Sequence, residues 1–193
     1  MLDATRKLVR ERGFTATTTK EIAKACELSE ATLFWYFQSK DEIFTSLLYQ
    51  GIELMRSGLE EIATSKREPR HQLAQLWRFF AEVREQQPEY FHVFGTLANP
   101  AATAAVSEDV KAEILRRSGD NLRRCAELVR ACVGAKDARI AADLFWAAFV
   151  GLMVLRDSRV NLGADAHPDE RELRVAFELL LEGVAHDRHG AAR

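Results

Sequence analysis

Apolar residues follow a helical spacing along almost the whole chain. Only four prolines and ten glycines interrupt its 193 residues, and no segment alternates apolar and polar side chains for long. Because a strand with one buried face needs that alternation, the pattern leaves little room for a sheet. The sequence therefore predicts an all-α fold, and its 47% hydrophobic content is sufficient for a buried core.

Local capping signals divide the chain into about nine helices. Gly13 is placed to end the first, Thr18 and Glu21 form a capping box at the start of the second, and Ser29 caps a third that ends near Phe37. The longer helices are predicted from a Ser39–Glu42 capping box to about residue 64, then at 70–86, 89–98, 108–133 and 137–158, with a last one from Pro168. Three short helices followed by six mostly longer ones predict two domains, 1–45 and 46–193, joined through the fourth helix.

The third helix contains four consecutive aromatic residues, 34–37. At about 100° per residue, one arc is predicted to join a small three-helix core with Leu8, Val9, Ile22 and Ala23. That arc contains Glu30, Leu33, Phe34 and Phe37. The opposite arc, called here the reading face, contains Ala31, Thr32, Trp35 and Tyr36. A small residue, a hydroxyl, an indole and a phenol are then exposed together.

The reading face has the chemistry of a surface that enters the major groove of DNA. Two short helices joined by the link "CELS" (26–29) form a helix-turn-helix, whose second helix reads base edges. Alanine and threonine can approach thymine methyl groups, and hydroxyls can bind base edges or phosphates. Lys40, and Lys20 beside Thr18 and Thr19, provide phosphate-binding chemistry on both sides of that helix. The alternative is that Trp35 and Tyr36 pack on the second domain.

The segment "GFTATTTKEIAKACELSEATLFWYFQSKDEIF" (13–44) resembles the DNA-binding domain of the tetracycline-repressor (TetR) family of transcriptional regulators. The elements "TTTKEIA", "T-L-x-x-Y-F" and "SKDEIF" carry the resemblance. It implies that residues at the start of the second helix and after the third bind phosphates, and that residues of the third helix face the groove. The DNA-binding residues so implied are Thr18, Thr19, Lys20, Glu30, Ala31, Thr32, Trp35, Tyr36 and Lys40.

The resemblance has departures. Glu27 replaces a usual glycine of the turn, so it must adopt or avoid a left-handed conformation, at about 1 kcal/mol. Phe34 replaces a usual tyrosine, which removes a hydroxyl. Residues 1–47 carry seven basic and seven acidic side chains, so non-specific DNA affinity is expected to be low. Glu30 either accepts a hydrogen bond from a cytosine amino group or only stabilises its helix start.

A dimer is expected, because one helix-turn-helix contacts too few bases to specify an operator. The last two helices are the candidates for its interface. The segments 143–157 and 172–184 are broadly apolar, and the resemblance implies a four-helix dimer bundle there. The candidate interface residues are Phe145, Leu152, Leu173, Phe177, Leu180 and Val184. The alternative is that these residues form the core of a monomer.

Aromatic residues in the larger domain are candidates for an effector pocket, which the resemblance implies. The candidates are Trp77, Phe80, Phe91, Phe94, Phe145 and Phe149, with polar anchors to be chosen among Arg84, His92, Asn121, Arg124 and Asp143. At helical spacing such residues can equally be ordinary core.

The sequence contains no motif that indicates an enzyme or a metal-binding protein. There is no Ser/His/Asp or Cys/His set, no Gly-rich phosphate loop and no paired histidines, so we expect no enzyme, no metal and no cofactor. Three scattered cysteines are typical of a reducing cytoplasm, and the apolar segment 144–155 is too short to span a bilayer. The sequence thus predicts a cytoplasmic homodimer that binds a palindromic operator. The resemblance implies that such a regulator is more often a repressor, which releases its operator on binding a small effector, here an apolar or aromatic molecule. The alternative is a ligand-binding or partner-binding dimer that has lost DNA binding.

Overall fold

The chain is all-α, as predicted. The computed structural model describes residues 1–13, 16–88, 90–91, 107–134, 137–164 and 170–190, and all the longer regular elements in those ranges are α-helices. They are α1 (Leu2–Arg12), α2 (Thr19–Ala25), α3 (Glu30–Tyr36), α4 (Lys40–Thr64), α5 (Pro69–Gln86), α6 (Glu108–Val133), α7 (Ala138–Asn161) and α8 (Glu170–Gly190). The predicted bounds are close to these, except that α7 continues three residues beyond 158. The helix predicted at 89–98 and the start predicted at Pro168 lie almost wholly outside the described residues.

The predicted caps explain why the first helices begin and end where they do. Thr18 and Glu21 form the complete capping box, and the Ser29 hydroxyl accepts from the Thr32 backbone N–H at 3.0 Å. Gly13 ends α1 with φ +78° and donates its N–H to the Val9 carbonyl at 2.8 Å. Its ψ of 161° places it in a region of backbone conformation that is open almost only to glycine.

The chain forms two compact units. The first comprises Met1–Arg56 with Ala81–Ser118, and the second comprises Ser57–Phe80 with Gly119–Arg193. Three helices, α4, α5 and α6, each contribute residues to both units. The predicted domain boundary at residue 45 lies inside α4 and remains a prediction.

The packing of the N-terminal helices differs in one respect from the helical-wheel prediction for α3. Ile22, Ala23, Leu33 and Ile43 form the buried cluster, with Leu2, Leu8, Cys26 and Phe37 packed against it. Phe34, predicted to join this core, is 45% exposed instead. Ile43, at the start of α4, is buried in that cluster and was not among the predicted core residues. The exposed arc of α3 is therefore wider than predicted.

The second unit contains a continuous set of aromatic rings, called here the aromatic cluster. Its members are Trp77, Phe80, Phe145, Trp146, Phe149 and Phe177. Trp77 lies edge-on to Phe149, with ring centroids 5.5 Å apart, and its indole N–H donates to the Leu173 carbonyl at 3.0 Å. Phe149 is fully buried. Edge-to-face and tilted contacts of this kind, around one satisfied indole, are the usual packing of an aromatic core.

Helix α7 has two different apolar faces. One is buried in its own unit and contains Ala138, Ala141, Ala142, Phe145, Phe149 and Met153. The opposite face is exposed and is called here the outer stripe; it contains Ile140, Leu144, Ala147, Gly151, Val154 and Leu155. An 18-residue window of α7 has a mean hydropathy of 1.8, and a third of it is buried. By length and composition α7 could therefore cross a membrane, contrary to the prediction from 144–155, although core helices of globular proteins pass the same test.

The turn between α2 and α3 stores local strain at Glu27. Its φ is +57°, a left-handed conformation that costs a residue with a Cβ about 1 kcal/mol or more. We expect Glu27→Gly to raise the free energy of unfolding by roughly 0.5–1 kcal/mol, since the relieved strain exceeds the added entropy of the unfolded chain. In thermal unfolding this is a Tm increase of about 2 °C.

The matched control is Glu127→Gly, which makes the same change at an exposed position inside α6. It is expected to lower stability by about 1 kcal/mol. A decrease in Tm for Glu27→Gly would contradict this interpretation of the turn.

Candidate nucleic-acid interface

The reading face of α3 is exposed around its two largest side chains. Trp35 is 79% exposed and Tyr36 is 51% exposed, and their rings meet edge to face at 4.8 Å between centroids. Ala31 is exposed and Thr32 is half-buried. On the opposite side of the helix Leu33 is fully buried, which fixes the rotation of α3 in its unit. Both rings therefore keep half or more of their surface exposed, and the alternative that they pack on the second domain stays a prediction.

Glu30 is held by a neighbour from the preceding helix. Its carboxylate Oε2 accepts a hydrogen bond from the Thr19 hydroxyl at 3.1 Å. This contact joins the first residue of α2 to the first residue of α3. The Glu30 carboxylate therefore already has a hydrogen-bond partner, which is itself a predicted DNA contact, and both interpretations of Glu30 stay open.

Thr18 uses its hydroxyl within the capping box. The hydroxyl accepts from the Glu21 backbone N–H at 3.2 Å and is 2.9 Å from the Glu21 carboxylate. The hydrogen bonds from the Thr18 backbone N–H and side chain, followed by the Arg12 charge, lower the pKa of Glu21. Arg12 also donates to Glu21 at 2.8 Å, which links α1 to α2. Thr18 is thus the capping residue of α2, and its contact with a phosphate stays a prediction.

Two lysines border the reading face in sequence. Lys20 lies in the first turn of α2 and is exposed, whereas Lys40 is the first residue of α4 and is half-buried. The two helices that flank α3 in sequence thus each carry a cation in their first turn, and α3 offers apolar and hydroxyl groups. This combination suits an anionic polymer whose bases carry apolar edges, because charge contacts supply affinity and edge contacts supply selectivity.

Arg6 anchors α1 within the first unit and was not identified from the sequence. It donates to the Gln87 side-chain oxygen and to the Tyr90 hydroxyl, each at 3.0 Å, and pairs with Asp3. The Tyr90 ring in turn packs on Gly51 of α4, where an added Cβ would lie 2.7 Å from the ring. Gln87 and Tyr90 are 81 or more residues from Arg6 in sequence, so no local pattern identifies them.

Four of the six predicted pocket residues belong to the aromatic cluster. Trp77, Phe80, Phe145 and Phe149 are buried in the aromatic cluster of the second unit. Phe91 is half-buried in the first unit, and Phe94 lies outside the described residues. An effector site at these residues remains a prediction.

The predicted interface residues are buried or half-buried, and the interface itself stays a prediction. Phe145 and Phe177 are buried, with ring centroids 6.0 Å apart. Leu152, Leu173, Leu180 and Val184 are half-buried. The exposed apolar residues are others: the outer stripe of α7, and Val175 and Leu179 on α8, which packs against α7.

Comparison with known proteins identifies the N-terminal region. Residues 1–47 match the sequence model of "Bacterial regulatory proteins, tetR family". The chain is 43% identical over 61 residues to the HTH-type transcriptional regulator YvkB of Bacillus subtilis, a match that covers 32% of each protein. The match thus spans about a third of that curated relative.

Solved structures share the fold over nearly the whole chain. The TetR family transcriptional regulator PfmR from Thermus thermophilus has a TM-score of 0.71 at 18% identity, covering 94% of this chain and 96% of its own. AibR, solved in complex with isovaleryl coenzyme A and operator DNA, has a TM-score of 0.64 at 16% identity, covering 96% and 94%. Residues 1–47, which contain the helix-turn-helix, thus match the tetR family of bacterial regulatory proteins, and the chain as a whole shares its fold with these solved regulators.

Proposed function

We propose that this chain is a dimeric DNA-binding transcriptional regulator of the cytoplasm, a repressor that leaves a palindromic operator when a small apolar or aromatic effector binds. The observation that carries the proposal is the reading face. It exposes an indole and a phenol on the second helix of a helix-turn-helix, opposite a fully buried Leu33. Exposed aromatic area on so short a helix is unfavourable unless a partner covers it.

The outer stripe supports a two-fold dimer. Its residues recur every three or four positions along α7, and they leave a continuous apolar face on the outside of the second unit. Adding a Cβ to Gly151 meets no atom within 4 Å, so this part of the stripe can approach another helix closely. A second copy of the same helix is the simplest complementary surface, because two-fold symmetry pairs a patch with itself.

An effector in the second domain would act by changing the distance between two reading faces. Both copies of α3 must fit successive major grooves, about 34 Å apart or a near multiple of that distance. A ligand that binds one conformation better shifts the population toward it. AibR was solved with an acyl coenzyme A thioester and operator DNA, which supports a small organic effector here as well.

The alternative is a ligand-binding or partner-binding dimer without specific DNA binding. The balanced charge of residues 1–47 favours it, since neutral surfaces bind phosphate backbones weakly. The two proposals differ in one observable. A regulator loses affinity for duplex DNA steeply as salt rises, and the alternative has no such affinity.

Lys40→Ala separates phosphate binding from base reading. We expect Lys40→Ala to weaken binding to a duplex selected from a random pool and to unrelated duplexes by similar factors. The slope of log K against log salt should become shallower by about 1 for each phosphate that the protein no longer neutralises. Thr32→Ala should mainly alter which sequences bind.

The control is Lys66→Ala, which removes the same charge from an exposed position after α4. It should leave both affinity and slope unchanged. Equal effects of the Lys40 and Lys66 substitutions would show that Lys40 contributes only general charge. If neither Lys40→Ala nor Thr32→Ala changed DNA binding, the assigned DNA surface would be wrong.

A further inference from the structure

The side chains of α3 limit what it can recognise in DNA. The seven residues of the helix are Glu30, Ala31, Thr32, Leu33, Phe34, Trp35 and Tyr36. None is an arginine, lysine, asparagine or glutamine. Arginine or lysine against guanine, and asparagine or glutamine against adenine, are the side chains that form paired hydrogen bonds to a single base in the major groove. Helix α3 therefore has no group for bidentate reading of a purine.

The one carboxylate of α3 is already engaged. Glu30 accepts from the Thr19 hydroxyl at 3.1 Å, so contact with a cytosine amino group requires that bond to be broken or shared. The remaining polar groups of the reading face are single donors or hydroxyls, on Thr32, Trp35 and Tyr36. A single hydroxyl can bond to any of several base edges or to phosphate, so it discriminates weakly.

Apolar groups occupy the centre of the exposed arc. At 100° per residue, Ala31 and Trp35 lie 40° apart and directly opposite the fully buried Leu33. Tyr36 supports the indole edge to face at 4.8 Å, which restricts its orientation. Thr32 adds a methyl group beside them. In the major groove, the only exposed apolar group of the bases is the C5-methyl group of thymine.

We infer that α3 reads its half-site through thymine methyl groups, which contact Ala31, the Thr32 methyl and the Trp35 indole, so that the operator half-site carries thymines at the positions under this helix. The inference rests on the proposed function, because it names the feature of DNA that the same surface recognises. It differs from that function in predicting which atoms of the bases matter.

The test uses the full-length protein and a duplex enriched from a random pool. Each thymine of one half-site is replaced in turn by deoxyuridine, which pairs with adenine identically and lacks only the methyl group. We expect about fourfold weaker binding for each contacted methyl, the value of burying one carbon-sized apolar group. Deoxyuridine outside the enriched motif is the matched control and should have no effect.

Protein variants assign the contacts. Thr32→Ser keeps the hydroxyl and removes the methyl, and Trp35→Ala removes the indole. Each variant should bind the thymine duplex more weakly, and should no longer distinguish thymine from deoxyuridine at the position its side chain covers.

In a second arm of the experiment, 7-deazaguanine replaces each guanine of the half-site and removes the N7 acceptor. We expect less than about a twofold change, because α3 has no arginine or lysine to form paired hydrogen bonds with guanine.

The outcomes separate this inference from the proposed function. Weaker binding with deoxyuridine and unchanged binding with 7-deazaguanine supports it. A selected duplex whose affinity is indifferent to every deoxyuridine overturns the inference and leaves the regulator standing. A selection that enriches no duplex overturns both.

Discussion

Replacing Leu155 with glutamate is expected to convert the protein to monomers and to abolish operator binding. Leu155 is 55% exposed on the outer stripe, one turn of α7 from Gly151. In a two-fold dimer the substitution occurs twice and places two carboxylates in an apolar contact, at a cost of roughly 3 kcal/mol or more. The dimer dissociation constant should therefore rise at least about a hundredfold. Sedimentation equilibrium measures this directly.

The failure to bind DNA should follow from the dissociation of the dimer. A monomer presents one reading face and holds one half-site, so its affinity for a two-fold operator should decrease by about a hundredfold or more at a protein concentration where the wild type is dimeric. Leu115→Glu is the matched control. Leu115 is 74% exposed on α6 and is not a residue of the outer stripe, and its substitution should leave both the dimer and the affinity intact. A folded Leu155→Glu dimer would mean that copies associate elsewhere.

Truncation of Phe149 is expected to have the largest effect on stability. The ring is fully buried and contacts Trp77 and Phe80, each at 5.5 Å between centroids. Phe149→Ala should lower the free energy of unfolding by about 3–5 kcal/mol. For a domain of this size the Tm falls by roughly 2–4 °C per kcal/mol, so a decrease of about 10 °C is expected in thermal unfolding.

The same variant distinguishes a core from a pocket. A residue that lines an effector cavity already lacks partners on one side, so its truncation changes ligand affinity and costs little stability. Phe34→Ala, the same substitution at a 45% exposed position, is the control and should cost less than about 1 kcal/mol. A Phe149→Ala protein as stable as the Phe34→Ala protein would show that the aromatic cluster encloses a cavity.

The local parts of this fold could be predicted because their causes are local. The Thr18–Glu21 capping box, the Ser29 cap and the strain at Glu27 each depend on side chains within four residues of one another. The exposure of Phe34 could not be predicted in the same way. Its position on the wheel is 100° from Leu33, and which of the two faces the core depends on how α3 packs against Ile22 and Ile43.

Longer-range features depend on tertiary packing. Helix α7 is apolar on nearly every side, so its sequence alone cannot show which face its own unit buries and which becomes the outer stripe. Phe145 was consequently assigned to both a pocket and an interface, although it packs against Trp77. The link from Arg6 to Tyr90 spans 84 residues and leaves no periodic signal.

Selection of bound duplexes from a random DNA pool, with purified wild-type protein at moderate salt, is the most direct test of the proposed function. We expect enrichment of a two-fold symmetric sequence whose half-sites lie about one or two helical turns apart. Enrichment should disappear when Leu155→Glu is used in place of the wild type. No enrichment by a protein that sedimentation shows to be a folded dimer would contradict the proposed regulator and favour a ligand-binding or partner-binding dimer.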